Sequence, residues 1–169
     1  MPYFLLAVLL VVLDQAVKYL VLTHIPLYGS VPFIPYILEL TYVQNTGAAF
    51  SIMSEHTWLL TLMSLVMSAV LAVAVWKKFF THPFGRIALT MVLAGAVGNL
   101  IDRAVRGFVV DMFHTLFMHF AVFNVADICV VVGGIAAGLY YVFLYDKLEP
   151  KKETAQEEEV LHDDPDQNC

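Results

Sequence analysis

Two aspartates, Asp111 in Val109-Val110-Asp111-Met112 and Asp127 in Phe123-Asn124-Val125-Ala126-Asp127, stand at the edges of segments apolar enough to lie in lipid. An ionised carboxylate in hydrocarbon costs about 2.5 to 3.5 kcal/mol on insertion scales, so a pair of them implies mutual use or a shared proton. Neither has a lysine or arginine within four positions, so the chain offers no local counter-ion. Such a pair can hydrolyse a peptide bond without a metal or a covalent intermediate. One carboxylate takes a proton from water while the other gives one to the carbonyl oxygen. Asp127 falls in the first turn of a predicted helix with Asn124 as its N-cap, a setting that favours negative charge. Asp111, flanked by Val109, Val110, Met112 and Phe113, is the better holder of a raised pKa and a retained proton. Sequence leaves open which of the two is base and which is acid, because they titrate as a pair.

Rival chemistries find less support. There is no His-Glu-x-x-His and no Gly-x-Ser-x-Gly, and His114 and His119, five apart on an apolar stretch, read as interface residues rather than metal ligands. Cys129, within an apolar run, reads as a small buried hydrophobe, and with Cys169 it makes neither a disulfide framework nor zinc spacing. No metal and no cofactor is implied.

The elements that must carry these residues are membrane spans. The chain is 60% hydrophobic, and its nine Lys plus Arg and fifteen Asp plus Glu among 169 residues are too few for a soluble domain of this size. Mean hydropathy is +0.75. Apolar runs at about 3–22, 58–76, 84–101 and 125–145 are each long enough to cross ~30 Å of hydrocarbon as a helix. Trp58 and Trp76 bracket the second, and Tyr140, Tyr141 and Tyr145 close the fourth, as interfacial aromatics do. The first run lacks a basic leader and a small-residue cleavage site, so it is expected to stay in the mature protein. Lys77, Lys78, Arg86, Lys147, Lys151 and Lys152 lie on one side, against Arg103 and Arg106 on the other. This bias predicts cytoplasmic termini, with loops 23–57 and 102–124 outside, and so both Asp111 and Asp127 near the outer face. Within 23–57, Pro26, Gly29, Pro32 and Pro35 precede the β-leaning run 37–43, which predicts a small extracytoplasmic sheet partly covering the site and opening for substrate. Ala94 with Gly98, and Gly134 with Gly138, predict close helix packing. Residues 147–169 hold eight acids and three bases, a net of −5, and read as a disordered cytoplasmic tail behind a four-helix domain spanning 1–146.

The remaining polar clusters are Asp14-Gln15 with Lys18, Asn45-Thr46-Gly47-Ala48-Ala49-Phe50, and Gly98-Asn99-Leu100-Ile101-Asp102-Arg103. Asp14 and Lys18, four apart on one helix face, are expected to neutralise each other. An ion pair with the adjacent Arg103, or a charged cap, accounts for Asp102. Arg103 either presents its planar fork to a substrate or lipid group or snorkels to the interface. Gly47, Ala48 and Ala49 leave room for close backbone approach.

Taken in order, Asp14-Gln15-x-x-Lys18, Asn45-Thr46-Gly47-Ala48-Ala49-Phe50-Ser51, Gly98-Asn99-Leu100-Ile101-Asp102-Arg103, Val109-Val110-Asp111 and Phe123-Asn124-Val125-Ala126-Asp127 resemble the bacterial lipoprotein signal peptidases, signal peptidase II. The resemblance runs from Asp14 to about Gly134. It implies an all-α membrane protein of four transmembrane helices with an extracytoplasmic β-cradle, in the inner membrane. The implied activity is aspartyl-protease cleavage of prolipoproteins before the diacylglyceryl-modified cysteine, by a monomer with lipid but no nucleic acid as partner. It further implies that Asp111 and Asp127 are the catalytic pair, and that Asn45 and Arg103 hold substrate backbone. Asn99, Asp102 and Asn124 would fix the geometry, and Asp14 would support activity or stability. Ser51 stands where Gly is common and Met112 where Phe or Tyr is, and the acidic tail has no counterpart. Presenilin-like and prepilin-type proteases carry a Gly-x-Gly-Asp pattern that is absent here. A proton-coupled transporter, with Asp14 as carrier, is the alternative from another class.

Overall fold

A computed structural model describes residues 1–47 and 57–148. Ala48 to Ser51 of the second motif and most of the expected tail lie outside the described residues. Four long helices dominate: α1 (Pro2–His24), α2 (Thr57–Trp76), α3 (Pro83–Arg106) and α4 (Val125–Phe143). Each is long and apolar enough to cross a membrane; the 23 residues of α1 rise about 34 Å. A short helix, α5 (Tyr145–Leu148), follows. Strands β1 (Ser30–Ile34), β2 (Leu38–Asn45) and β3 (Val109–Thr115) form an antiparallel sheet in the order β1-β2-β3. Ser30 pairs with Thr41, and Asn45 with Val109.

Local chemistry sets the boundaries. Pro26 forces Ile25 out of the helical region, to φ −115° and ψ 123°, and α1 stops at His24. Gly107, at φ 78°, ends α3 in the left-handed conformation that a side chain disfavours. Sequence predicts a loop over 102–124, whereas α3 runs on to Arg106 and Val109–Thr115 is a strand. The strand is hard to see locally because Asp111 interrupts a short apolar run whose partner, β2, lies over sixty residues away. Alternation along β3 then decides what each residue faces. Val110 and Met112 join Val21, Ile25 and Tyr42 in a core beneath the sheet, and Val109 and Asp111 turn to a cavity on the other side.

α3 is the central helix, packed against α1, α2 and α4. On α1 the buried stripe is Asp14, Lys18 and Val21, the i, i+4, i+7 spacing of one helix face. The packing glycines differ in part from those predicted. Gly98 does lie at a contact, with Asp14 Oδ2 2.7 Å from where a Cβ would stand, so Gly98 is what lets Asp14 approach α3. On α4, however, Gly133 meets Ala88 of α3, while Gly134 and Gly138 have open space around them. One residue is a 100° turn of the helix, and Gly134 and Gly138 therefore share the outward face with Val131 and Ile135.

Candidate active site

An open cavity of about 430 Å³ lies at the sheet end of the bundle, on the face of β3 opposite the Val110 and Met112 core. Its polar wall is Asn45, Asn99, Arg103, Asp111 and Asp127, drawn from β2, α3, β3 and α4. Its apolar wall includes Phe120, Phe123, Ile128, Val131 and Val132. The sequence reading missed that wall, because Ile128, Val131 and Val132 look like any other lipid-facing stretch until their place on α4 beside Asp127 is known, and Phe120 and Phe123 belong to the segment leading into that helix.

Each carboxylate is held by two amide donors. Asp111 accepts from Asn124 Nδ2 at 2.7 Å and from Asn45 Nδ2 at 2.9 Å. Asp127 accepts from Asn99 Nδ2 at 2.8 Å and from the backbone N–H of Asn124 at 3.1 Å. Asn124 is the N-cap of α4: its Oδ1 accepts from the Asp127 N–H at 2.9 Å, completing a reciprocal capping box. One fully buried asparagine thus reaches both aspartates. Asp111 is 2% exposed, and its carboxyl is pushed up to about 6. Burial is the largest cause, with the nearby Asp127 charge adding to it and the Asn45 and Asn124 hydrogen bonds working against it.

Behind this pair is a second, closed cluster. Lys18 Nζ lies 2.9 Å from Asp14 Oδ2, 3.0 Å from Asp102 Oδ2 and 2.9 Å from Asn99 Oδ1. Asp14 uses its other oxygen to accept the Ala126 N–H at 2.9 Å, tying α1 to the first turn of α4. The ion partners of Asp102 are Lys18 and Arg106, not the adjacent Arg103. Neighbouring helix residues point about 100° apart, whereas residues four apart share a face. Asp102 also accepts the Val110 N–H at 3.0 Å and so fixes β3 beside Asp111. Gln15 donates to Asp14, to Asp102 and to the Gly98 carbonyl.

All eight residues singled out from sequence converge here, with differences in what some of them do. Asn45, expected to hold substrate backbone, donates to Asp111, and its Oδ1 accepts the Gly47 N–H at 3.0 Å. Among the described residues Arg103 makes two long contacts, 3.4 Å to Ser64 Oγ and 3.4 Å to the Gly47 carbonyl, and its side chain lines the cavity wall. Lys18, Gln15 and Arg106 were not singled out as site residues, although the i, i+4 spacings of Asp14 with Lys18 and of Asp102 with Arg106 are visible in the chain. Among the described residues no three His, Cys, Asp or Glu side chains converge on a metal position.

Residues 6–143 match the family model described as Signal peptidase (SPase) II. A protein of Enterococcus faecalis named lipoprotein signal peptidase is 42% identical over 140 residues, covering 83% of this chain and 87% of that one. A Clostridioides difficile protein of the same name is 37% identical over 147 residues, covering 87% and 99%. Among solved structures, one described as a bacterial membrane enzyme obtained by the in meso method superposes with a TM-score of 0.74 at 29% identity, covering 89% of this chain and 93% of that one.

Proposed function

The chain belongs to the signal peptidase II family, a multi-pass membrane peptidase, and from that premise we propose that Asp111 and Asp127 hydrolyse prolipoproteins at the bond before a diacylglyceryl-modified cysteine. The observation that carries this reading is that Asn124 donates to two carboxylates from different elements, through Nδ2 to Asp111 and through its backbone N–H to Asp127, both of them lining one open cavity. Acyl chains suit the apolar wall of Ile128, Val131 and Val132, and the peptide suits the polar wall with Arg103. Cytoplasmic termini place this end of the bundle at the outer face, where a lipid-borne substrate arrives by lateral diffusion.

In the proposed reaction Asp127 is the ionised member and Asp111 carries the shared proton. Asp127 takes a proton from water, the water oxygen bonds to the scissile carbonyl carbon, and Asp111 gives its proton to the carbonyl oxygen. In the neutral gem-diol that results, the leaving nitrogen takes a proton from Asp127 as the C–N bond breaks. A hydroxyl then returns its proton to Asp111, restoring the pair with one proton. The transporter reading lacks support: the family is one of peptidases, and Asp14 is locked in contact with Lys18 and the Ala126 N–H rather than lining the cavity. The test is processing of a prolipoprotein by Asp111→Asn and Asp127→Asn proteins that insert normally. Near-wild-type cleavage by either variant refutes the pair, and strong inhibition of the wild type by a chelator would point to a metal instead.

A further inference from the structure

We propose that Lys18 is a positioning residue for the hydrolytic pair: it acts through Asn99, which it holds with the amide nitrogen turned to Asp127. The inference rests on the reading that Asp111 and Asp127 perform the hydrolysis. Lys18 is 0% exposed, and its three ammonium hydrogens meet three acceptors: Asp14 Oδ2, Asp102 Oδ2 and Asn99 Oδ1. None is left over, so the ammonium is fixed in place.

An asparagine side chain has two ends of nearly equal size, one that donates and one that accepts. If Asn99 were turned over, its carbonyl oxygen would face the Asp127 carboxylate, which would lose its 2.8 Å donor and gain a repulsion. Lys18 forbids that orientation, because an ammonium only donates and cannot accept from an NH2 group. Asn124 Nδ2 donates to the same Asn99 oxygen, but at 3.1 Å and from a neutral amide that also serves Asp111 at 2.7 Å. The charged donor at 2.9 Å is the stronger constraint. A merely structural role, neutralising Asp14 and Asp102, would need only the two carboxylate contacts. The third contact, aimed at the residue that holds Asp127, goes beyond that role.

Among the described residues, the charged groups around Asn99 and Asp127 are Asp14 and Lys18 on α1, Asp102, Arg103 and Arg106 on α3, and Asp111 on β3. Removing Lys18 alone leaves Asp14 without its cation, so the informative variant is Asp14→Asn/Lys18→Met, which removes one charge of each sign. It is compared with Asp14→Asn. Turnover of a synthetic diacylglyceryl signal peptide is measured across pH, and binding of a non-cleavable analogue counts the folded sites. The double variant is expected to show kcat per folded site lowered 10- to 100-fold relative to Asp14→Asn, with KM within threefold. The acid limb of kcat/KM should move at least half a unit to higher pH, because Asp127 loses support for its charged form. A kcat within threefold with unmoved limbs overturns the proposal. So does a double variant with no binding sites while Asp14→Asn keeps them, which would make Lys18 a residue of the fold alone. Running Asp111→Asn alongside separates the two readings: if it cleaves like wild type, the hydrolytic assignment has failed, whatever Lys18 does.

Discussion

Four aspartates are gathered at one end of this bundle, and they have two kinds of neighbour. Asp14 and Asp102 are matched by Lys18 and Arg106, two charges against two, in a cluster closed by further bonds from Gln15 and the backbone. Asp111 and Asp127 are held by neutral donors, Asn45, Asn99 and Asn124, and line an open cavity. A carboxylate whose oxygens are taken up by cations and backbone N–H groups is tied to them and of little use as an acid or base. A carboxylate held by amides keeps its orientation and remains free to exchange a proton. The first pair joins α1, α3 and α4; the second pair faces the space a substrate would occupy.

The largest effect that could break this division is on turnover. Asp111→Asn and Asp127→Asn should each lower kcat/KM by about 10³-fold or more while leaving insertion intact, as expected for loss of a general acid or base with nothing to replace it. Asp102→Asn should do the reverse. It leaves Lys18 and Arg106 under-compensated in a buried setting, a change worth about 3–5 kcal/mol, and the expected outcome is a large loss of thermal stability in detergent with kcat per folded molecule falling far less. If instead Asp102→Asn keeps full stability and loses its turnover, the two pairs are not divided as described.

Part of this division is legible in the sequence. Asp14 and Asp102 each have a cation four positions on, and Asp111 and Asp127 have no Lys or Arg that near. The four spans follow from run length, and the Asn124 cap follows from its spacing to Asp127. What is not legible depends on phase and long-range pairing. The choice of Arg106 over Arg103 and of Gly133 over Gly134 turns on helix rotation, which run length leaves unspecified. The strand carrying Asp111 exists because β2, more than sixty residues earlier in the chain, pairs with it. Lys18 as the donor to Asn99 joins residues 81 positions apart.

A smaller effect sharpens the contrast through pH. Asp111 is raised from 3.8 to about 6, so the folded protein holds that proton more tightly than the unfolded chain does. Its contribution to stability is fully present below about 4 and is lost as pH rises through about 6. A shift of this size corresponds to roughly 3 kcal/mol at most. Stability measured from pH 4 to 7 should therefore fall more steeply in wild type than in Asp111→Asn. In the same window kcat/KM should begin to decline as pH rises past about 6 and the pair loses its shared proton. An Asp111→Asn protein with the wild-type pH slope would remove Asp111 as the group responsible.

The smallest effect is expected where a carboxylate belongs to neither class. Glu39 on β2 accepts from His114 on β3 at 2.8 Å, with side chains 24% and 41% exposed. The pair crosses directly between strands, since Glu39 is opposite His114 in the register, so it sits where cross-strand contacts tune a sheet. Water reaches both groups, competes for their hydrogen bonds and screens their charges, and exposed pairs of this kind contribute about 0–1 kcal/mol. Glu39→Gln should therefore change stability by no more than about 0.5 kcal/mol at pH 7 and leave kcat/KM within twofold. An effect of tenfold on turnover would mean that the outer sheet transmits its geometry to Asp111 through β3, three residues along the same strand, and the line between reactive and structural carboxylates would then have to be drawn around the sheet as well.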